Sequence, residues 1–311
     1  MSAFRRFIKA FAATSAVSLF VLFAQIPAAL ADSGPITIGE PHDWAIAMQK
    51  PYSPVEVAVY DFHNILLWLI FAICAFVLAL LLYVIVRYNK YANPKPSNTA
   101  HNTKLEIAWT LVPCLILIAL GVVSFPLLYY TDRIPAPDLT LKVTGHQWYW
   151  SYAYPQNGNI AFDSHAIWDG PGVTWAEADK LVAQYSPNWP IKHQPLRLLE
   201  VDNPVVLPVG KVVKVEIYSG DVEHSWFIPS LGINRMAVPG RMSDLWVKID
   251  KPGIYYGECS MICGEGHAYM PIVVMGVPAD QFAQWVKLKE AKKAAALPVK
   301  SAQFAAAGTS R

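Results

Sequence analysis

The chain has 311 residues, of which 54% are hydrophobic and only 15% charged, with a mean hydropathy of +0.29 and a formal net charge of +2. Soluble globular chains carry about 25% charged residues, which argues against an ordinary cytoplasmic enzyme, and nothing in so balanced a charge suggests a nucleic-acid binder. Four cysteines are too few for a disulfide scaffold: Cys74 and Cys114 sit in apolar runs as small hydrophobes, Cys259 and Cys263 in a polar loop.

Taken in chain order, residues 1–31 read as a secretory signal peptide. Arg5, Arg6 and Lys9 precede an apolar stretch from about Ala10 to Pro27, and Ala29-Leu30-Ala31 supplies the small residues of a cleavage site. An exported segment over 32–62 follows. Two uncharged apolar runs come next, Ile65 to Val86 (22 residues) and Ile107 to Tyr130 (24 residues). About 20 apolar residues cross a bilayer as a helix, so transmembrane helices are predicted over 63–87 and 106–130, joined by a connector over 88–105. Arg87, Lys90, Lys95 and Lys104 flank or lie in that connector, whereas 32–62 carries Asp32, Glu40, Asp43, Glu56 and Asp61 against Lys50 alone. The asymmetry places the connector in the cytoplasm and both termini outside. Glu106, an acid at the cytoplasmic mouth of the second helix, is a functional candidate, with a solvated interfacial carboxylate as the competing reading.

Beyond Pro135 the pattern changes to short β-rich runs, among them Leu139–Val143, Val205–Leu207, Val212–Tyr218, Leu245–Ile249 and Ile272–Val277. Turn signals such as Pro208-Val-Gly210 and Pro239-Gly240 separate them. A small all-β sandwich or barrel over 135–285 is expected. An insertion over Ser164–Pro195 holds a short helix at Trp175–Gln184, a closing helix runs from about Ala279 to Lys293, and the basic tail within 286–311 is expected to be disordered. Residues 134–285 hold fifteen acids and ten bases, a net of −5, which favours a basic partner at the membrane surface.

One segment carries the chemistry: Cys259-Ser-Met-Ile-Cys263-Gly-Glu-Gly-His267-Ala-Tyr-Met270. A second imidazole, His224, lies in Asp221-Val-Glu-His224-Ser-Trp. Soft sulfur ligands with imidazole suit copper, but a single-copper electron-transfer site uses one Cys, two His and a weak axial Met. Here there is one thiolate more, and two thiolates could bridge two ions. The competing readings are a Cys259–Cys263 disulfide in an oxidising compartment and a structural zinc site, for which a thioether is a poor ligand. Taken singly, Met270 reads as a core methionine and His224 as a hydrogen-bonded strand-end histidine.

These motifs together resemble subunit II of the haem–copper cytochrome c oxidases, of bacterial type. The resemblance rests on the helix hairpin, His101-Asn-Thr-Lys-Leu-Glu-Ile-Ala-Trp-Thr, Gly145-His-Gln-Trp-Tyr-Trp-Ser-Tyr, the His224 motif, Ala237-Val-Pro-Gly-Arg241 and the Cys/His/Met segment. It implies a membrane-anchored α+β chain, a two-helix hairpin followed by a cupredoxin-like Greek-key β-barrel. It implies a dinuclear copper centre, CuA, on His224, Cys259, Cys263, His267 and Met270, with the backbone carbonyl of Met261. Trp148, in an aromatic run that taken alone reads as a partly exposed strand with ordinary sheet packing, matches the tryptophan through which electrons enter, and Glu106 the acid at the mouth of a proton pathway into subunit I. The implied partners are subunits I and III and a cytochrome c donor, in the bacterial inner membrane. The implied function is to pass electrons from cytochrome c to haem in subunit I, where oxygen is reduced to water with proton translocation.

Two departures stand out. Family members usually carry Glu where Met261 stands, and that carboxylate helps to hold magnesium or manganese at the subunit I interface. Met261 offers no such hard oxygen, which counts against the magnesium site. Ala153 and Met236 occupy positions where acids often dock cytochrome c, so docking must use other acids or another donor. Two other classes compete with this reading. A quinol-oxidase subunit II would lack the Cys/His/Met set, and a free-standing redox or metal-sensing protein would work without a large integral partner.

Overall fold

The computed structural model describes residues 37–38, 40, 44–167 and 196–296. The leader expected over 1–31, the insertion helix at Trp175–Gln184 and the chain after 296 lie outside the described residues.

After a two-residue strand β1 (Thr37–Ile38), helix α1 spans Pro54–Arg87 and helix α2 spans Thr103–Asp132. Their start signals are local. Ser53 caps α1, accepting a hydrogen bond from the Glu56 amide at 3.0 Å with Pro54 just inside the helix. Asn102 caps α2 and accepts from the Leu105 amide at 3.2 Å. At 1.5 Å per residue the helices are about 51 and 45 Å long, longer than the roughly 30 Å hydrocarbon core. Their apolar windows are entirely uncovered by the rest of the chain. Both helices are long and apolar enough to cross a membrane.

The head contains β2 (Leu139–His146), β3 (Tyr149–Tyr154), β4 (Ile160–Ser164), β5 (Val205–Pro208), β6 (Val213–Ser219), β7 (His224–Ile228), β8 (Ile233–Ala237), β9 (Ser243–Val247), β10 (Gly253–Cys259) and β11 (Pro271–Val277). They form two sheets, ordered β4-β3-β2-β6-β9 and β5-β11-β10-β7-β8, with β1 parallel on β10. This is the two-sheet, Greek-key arrangement of a cupredoxin-like domain. Burial alternates along β2, β3 and β6, each of which shows one face to the core. By contrast, β11 is buried at all seven positions. One of its faces meets the main core of Trp150, Trp226 and Tyr255, and the other contributes Val273 to a smaller cluster with Val201, Ile254 and Tyr256.

Helix α3 (Ala279–Ala296) continues past residue 285 into the Ala- and Lys-rich sequence, whose residues are strong helix formers. Its Phe282 and Trp285 close the core beside Tyr154, with the Trp285 and Tyr154 rings 5.1 Å apart.

Several contacts seat the head on the hairpin. The Ser53 hydroxyl donates to the Leu231 carbonyl at 2.7 Å, and the Tyr52 amide to Ser230 at 2.9 Å. At the end of α2, Arg235 pairs with Asp132 at 3.0 Å and the Trp246 indole donates to the Tyr130 carbonyl at 3.4 Å.

Candidate metal centre

Two strand ends and one loop build the site. His224 opens β7, Cys259 closes β10, and Trp226, two residues after His224, pairs with Cys259 across the ladder. Residues 260–269 then cross from β10 to β11, with a 3-10 turn at His267–Tyr269. The loop is closed at its base by the Cys259 amide donating to the Met270 carbonyl at 3.3 Å, and that carbonyl also accepts from the Trp150 indole at 3.4 Å. Thus 35 residues of sequence separate His224 from Cys259, yet sheet pairing makes them neighbours.

The donor atoms fall in an ordered set. The Cys259 and Cys263 sulfurs are 3.9 Å apart, and both are free thiols. His224 Nδ1 lies 4.0 Å from the Cys259 sulfur, and His267 Nδ1 lies 3.6 Å from that of Cys263. The Met261 carbonyl oxygen is 3.2 Å from Cys259 Sγ, and Met270 Sδ is 3.5 Å from Cys263 Sγ. Each sulfur therefore has its own imidazole and its own weak donor. A metal–thiolate bond of about 2.3 Å lets one ion touch both sulfurs at this separation. The donor set fits a soft metal held by both thiolates, and its division into two halves fits a pair of ions.

Desolvation is uneven, with His267 left partly exposed. His224 is fully buried, and Cys259, Cys263 and Met270 are almost so. Burial by itself raises a thiol pKa. At Cys259 the hydrogen bonds from His224, the Ser225 and Met261 backbone and His267 outweigh burial, and the thiol falls to about 7. At Cys263 burial and the neighbouring Cys259 charge act together and push it up to about 12. The opposite directions describe one shared event: the pair sheds a first proton readily and holds the second until a cation replaces it.

Asp221 fixes the imidazole of His224. Its carboxylate lies 2.8 Å from His224 Nε2 and accepts the Gln147 amide at 2.7 Å and the Val222 amide at 2.6 Å. Burial raises the Asp221 pKa, but these hydrogen bonds prevail and leave it below the usual carboxylate range. The His224 pKa is lowered by burial and raised more strongly by Cys259 and Asp221, for a net rise. Such a carboxylate partner turns the other ring nitrogen, Nδ1, toward the sulfurs. Gly145 makes room for the ring: a Cβ there would lie 2.7 Å from His224 Cδ2.

Trp148 lies in the turn between β2 and β3 rather than within a strand. Its ring is 36% exposed, and its indole N–H donates to the Cys263 carbonyl at 3.3 Å, beside the Gln147 side-chain amide at 3.0 Å. The ring rests on the loop backbone because residue 266 is glycine; a Cβ there would stand 2.4 Å from the indole. Glu106 is elsewhere. It sits in the first turn of α2, where its carboxylate accepts the Asn102 amide at 3.0 Å, and it lines a groove of about 440 Å³ with Thr103, Thr110 and Cys114. The structure thus gathers His224, Cys259, Met261, Cys263, His267 and Met270, sets Trp148 against them, and keeps Glu106 at the far end of α2.

Asp221 and Gln147 were not singled out from the sequence. Both lie within the quoted motifs, Asp221 three residues before His224 and Gln147 next to Trp148. That adjacency was the available signal, but their roles depend on a cross-strand approach that no local spacing reveals.

Comparison with known proteins gives a consistent result. Residues 139–277 match the family model described as cytochrome c oxidase subunit II, periplasmic domain, and residues 41–127 match the corresponding transmembrane domain. The chain is 43% identical over 250 residues to a probable cytochrome c oxidase subunit 2 of Rickettsia prowazekii, covering 80% of this chain and 74% of that one. It is 39% identical over 256 residues to cytochrome c oxidase subunit 2 of Cereibacter sphaeroides, covering 80% and 82%. Among solved structures, it is similar to the periplasmic domain of subunit II of the Bradyrhizobium japonicum cytochrome oxidase. That similarity has 40% identity and a TM-score of 0.42, over 51% of this chain and 99% of that one.

Proposed function

This chain belongs to the cytochrome c oxidase subunit II family, and from that premise we propose that its head is the electron-input module of a terminal oxidase, built on a dinuclear CuA centre. As a family member it is a membrane-anchored subunit of an oxidase complex and works with the other oxidase subunits. The proposal adds the route: electrons come from cytochrome c, pass through this head, and go on to haem in subunit I, where oxygen becomes water and protons are translocated. Subunit III completes the proposed assembly, in a bacterial inner membrane with the head and both termini outside.

The observation that carries the reading is the pairing of donors. Two free thiols 3.9 Å apart each face a different imidazole nitrogen. Two copper ions sharing both thiolates would accept and release a single electron with little change in bond length. The protein's part is to hold that geometry dry and fixed. Cys259 and Cys263 would hold the ions through their sulfurs, His224 and His267 through one nitrogen each, and Met270 with the Met261 carbonyl would supply the weak contacts. Asp221 orients His224 and balances its charge. Trp148, partly exposed and bonded to the carbonyl of the ligand Cys263, offers a donor protein a π surface. Glu106 is assigned to proton uptake on the opposite side, at the start of α2.

Met261 brings its carbonyl but no carboxylate, so no interface magnesium is assigned to it. Ala153 and Met236 bring no charge to donor docking. The exposed apolar Trp148 and Ile262 are the contacts offered instead, with Ile262 82% exposed.

Copper reconstitution of the full chain tests the reading. The expected product binds two coppers per chain, and its electron paramagnetic resonance spectrum shows one unpaired electron shared by both nuclei. A colourless chain with one zinc, or a single-copper spectrum, overturns it.

A further inference from the structure

A cavity of about 600 Å³ lies away from the metal centre, between the first turn of α1, the last turn of α2 and the β7–β8 corner of the head. Met48, Val59 and Phe227 give it apolar walls. Three polar groups in those walls lack partners among the described residues. Glu56 is only 3% exposed; its backbone amide donates to Ser53, and its carboxylate accepts no hydrogen bond among the described residues. Gln49 buries its side-chain carbonyl oxygen, and Arg235 its Nε–H, each without a partner. Arg235 spends one terminal nitrogen on Asp132, at 3.0 Å.

Unpartnered buried polar groups are costly, and more so when charged. Three in one cavity wall call for a ligand, and their signs specify it. Glu56 and Gln49 ask for a cationic donor, while Arg235 asks for an anionic acceptor. A simple cation would leave Arg235 unsatisfied, and a simple anion would leave the two acceptors unsatisfied. A ligand bearing both an ammonium and a phosphate satisfies all three.

Location narrows the source. The cavity sits where both membrane helices meet the head. Beside it the Tyr130 and Trp246 rings meet edge to face at 5.7 Å, and such aromatic residues mark the level of lipid headgroups. Below it the apolar faces of α1 and α2 are exposed.

We propose that this cavity binds the headgroup of a zwitterionic phospholipid with a primary ammonium, the ammonium on Glu56 and Gln49, the phosphate on Arg235. The acyl chains leave along the exposed helices. A trimethylammonium headgroup lacks the N–H donors that the two acceptors require, and a glycerol headgroup lacks the positive charge. The proposal stands independently of the metal reading.

The test uses the full chain, stripped of lipid in detergent and then offered phosphatidylethanolamine, phosphatidylcholine, phosphatidylglycerol or soluble glycerophosphoethanolamine, with bound species counted by native mass spectrometry. Phosphatidylethanolamine is expected to bind about tenfold more tightly than the other two lipids. Glu56→Gln and Arg235→Met should each weaken it by about the same factor. Thermal unfolding of each variant checks the fold, and Gln49→Leu reads the same site should either variant unfold. Equal binding of the three lipids, full retention by folded Glu56→Gln, or binding of the soluble headgroup as tight as that of the lipid would each overturn the proposal.

Discussion

The hairpin and the head solve opposite problems with the same apolar residues. In the hairpin, large side chains such as Phe76, Leu81 and Ile118 point outward, and the apolar windows of both helices are bare. In the head, Trp150, Trp226 and Tyr255 are wholly enclosed, and the buried Glu200 accepts a hydrogen bond from the Tyr256 hydroxyl at 2.6 Å. The helices satisfy most of their backbone groups within themselves, as lipid requires, and Ser53 and Asn102 cap their starts. The head satisfies its backbone between strands, leaving loops free to carry chemistry. Hydrophobic content alone therefore says little; which solvent each segment faces decides what a given leucine or tryptophan does.

The largest test of that contrast is a pair of deletions. Trp226→Ala should destabilise the head by about 3–5 kcal/mol, as removal of a buried aromatic does. Leu81→Ala, on a lipid-facing position, should leave head unfolding within about 0.5 kcal/mol of the parent chain. Denaturant titration monitored by tryptophan fluorescence reads both, and comparable losses would show that the two regions do not face different solvents.

A second pair separates the two ends functionally. Trp148→Ala should slow reduction of the metal centre by cytochrome c roughly tenfold or more, about 1.4 kcal/mol in barrier, with the copper spectrum unchanged. Glu106→Ala should slow oxygen turnover of the assembled complex while leaving that reduction step at its normal rate. Stopped-flow reduction and oxygen uptake measured on both variants decide the matter; crossed effects would dissolve the assignment of electrons to one end and protons to the other.

The smallest effect concerns pH. Burial, followed by repulsion from Lys292, lowers the Lys289 pKa from 10.5 to about 8. Its ammonium also sits 4.7 Å from the centre of the Phe162 ring. Between pH 8 and 10.5 the unfolded chain binds the extra proton and the folded chain does not, so head stability should rise with pH across that window. Allowing for its partial exposure, the gain is about 1–2 kcal/mol. Lys289→Met should flatten the rise, and unfolding midpoints at several pH values show whether it does.

Much of this was legible in the sequence, for reasons that differ by region. Both membrane helices followed from uninterrupted apolar length. The start of α1 at Pro54 did not, because Asp61 and His63 interrupt the apolar run while the Ser53 cap and Glu56 already commit the backbone to a helix. Strands β2, β5, β6, β9 and β11 followed from β-branched runs between turn signals; β4, β8 and β10 were not among those runs, and β1 was missed, being only two residues long and defined by its partner β10. The Cys259–Met270 segment announced its donors through chemical type and spacing. What it hid was relational: that Asp221 would brace His224, and that Trp148 would lie in a turn against Gly266 instead of packing as part of a strand.

The bond from the Cys259 amide to the Met270 carbonyl has a broader meaning. It seals residues 260–269 into a small ring whose two feet stand on neighbouring strands of an already complete scaffold. Such a ring is a cassette. It can be lengthened, shortened or exchanged without shifting the register beneath it, since extra length in a closed loop adds little entropy. A change of the partner that touches the rim can then be written within those ten positions, whereas a change of metal also reaches His224 and Cys259 on the strands themselves.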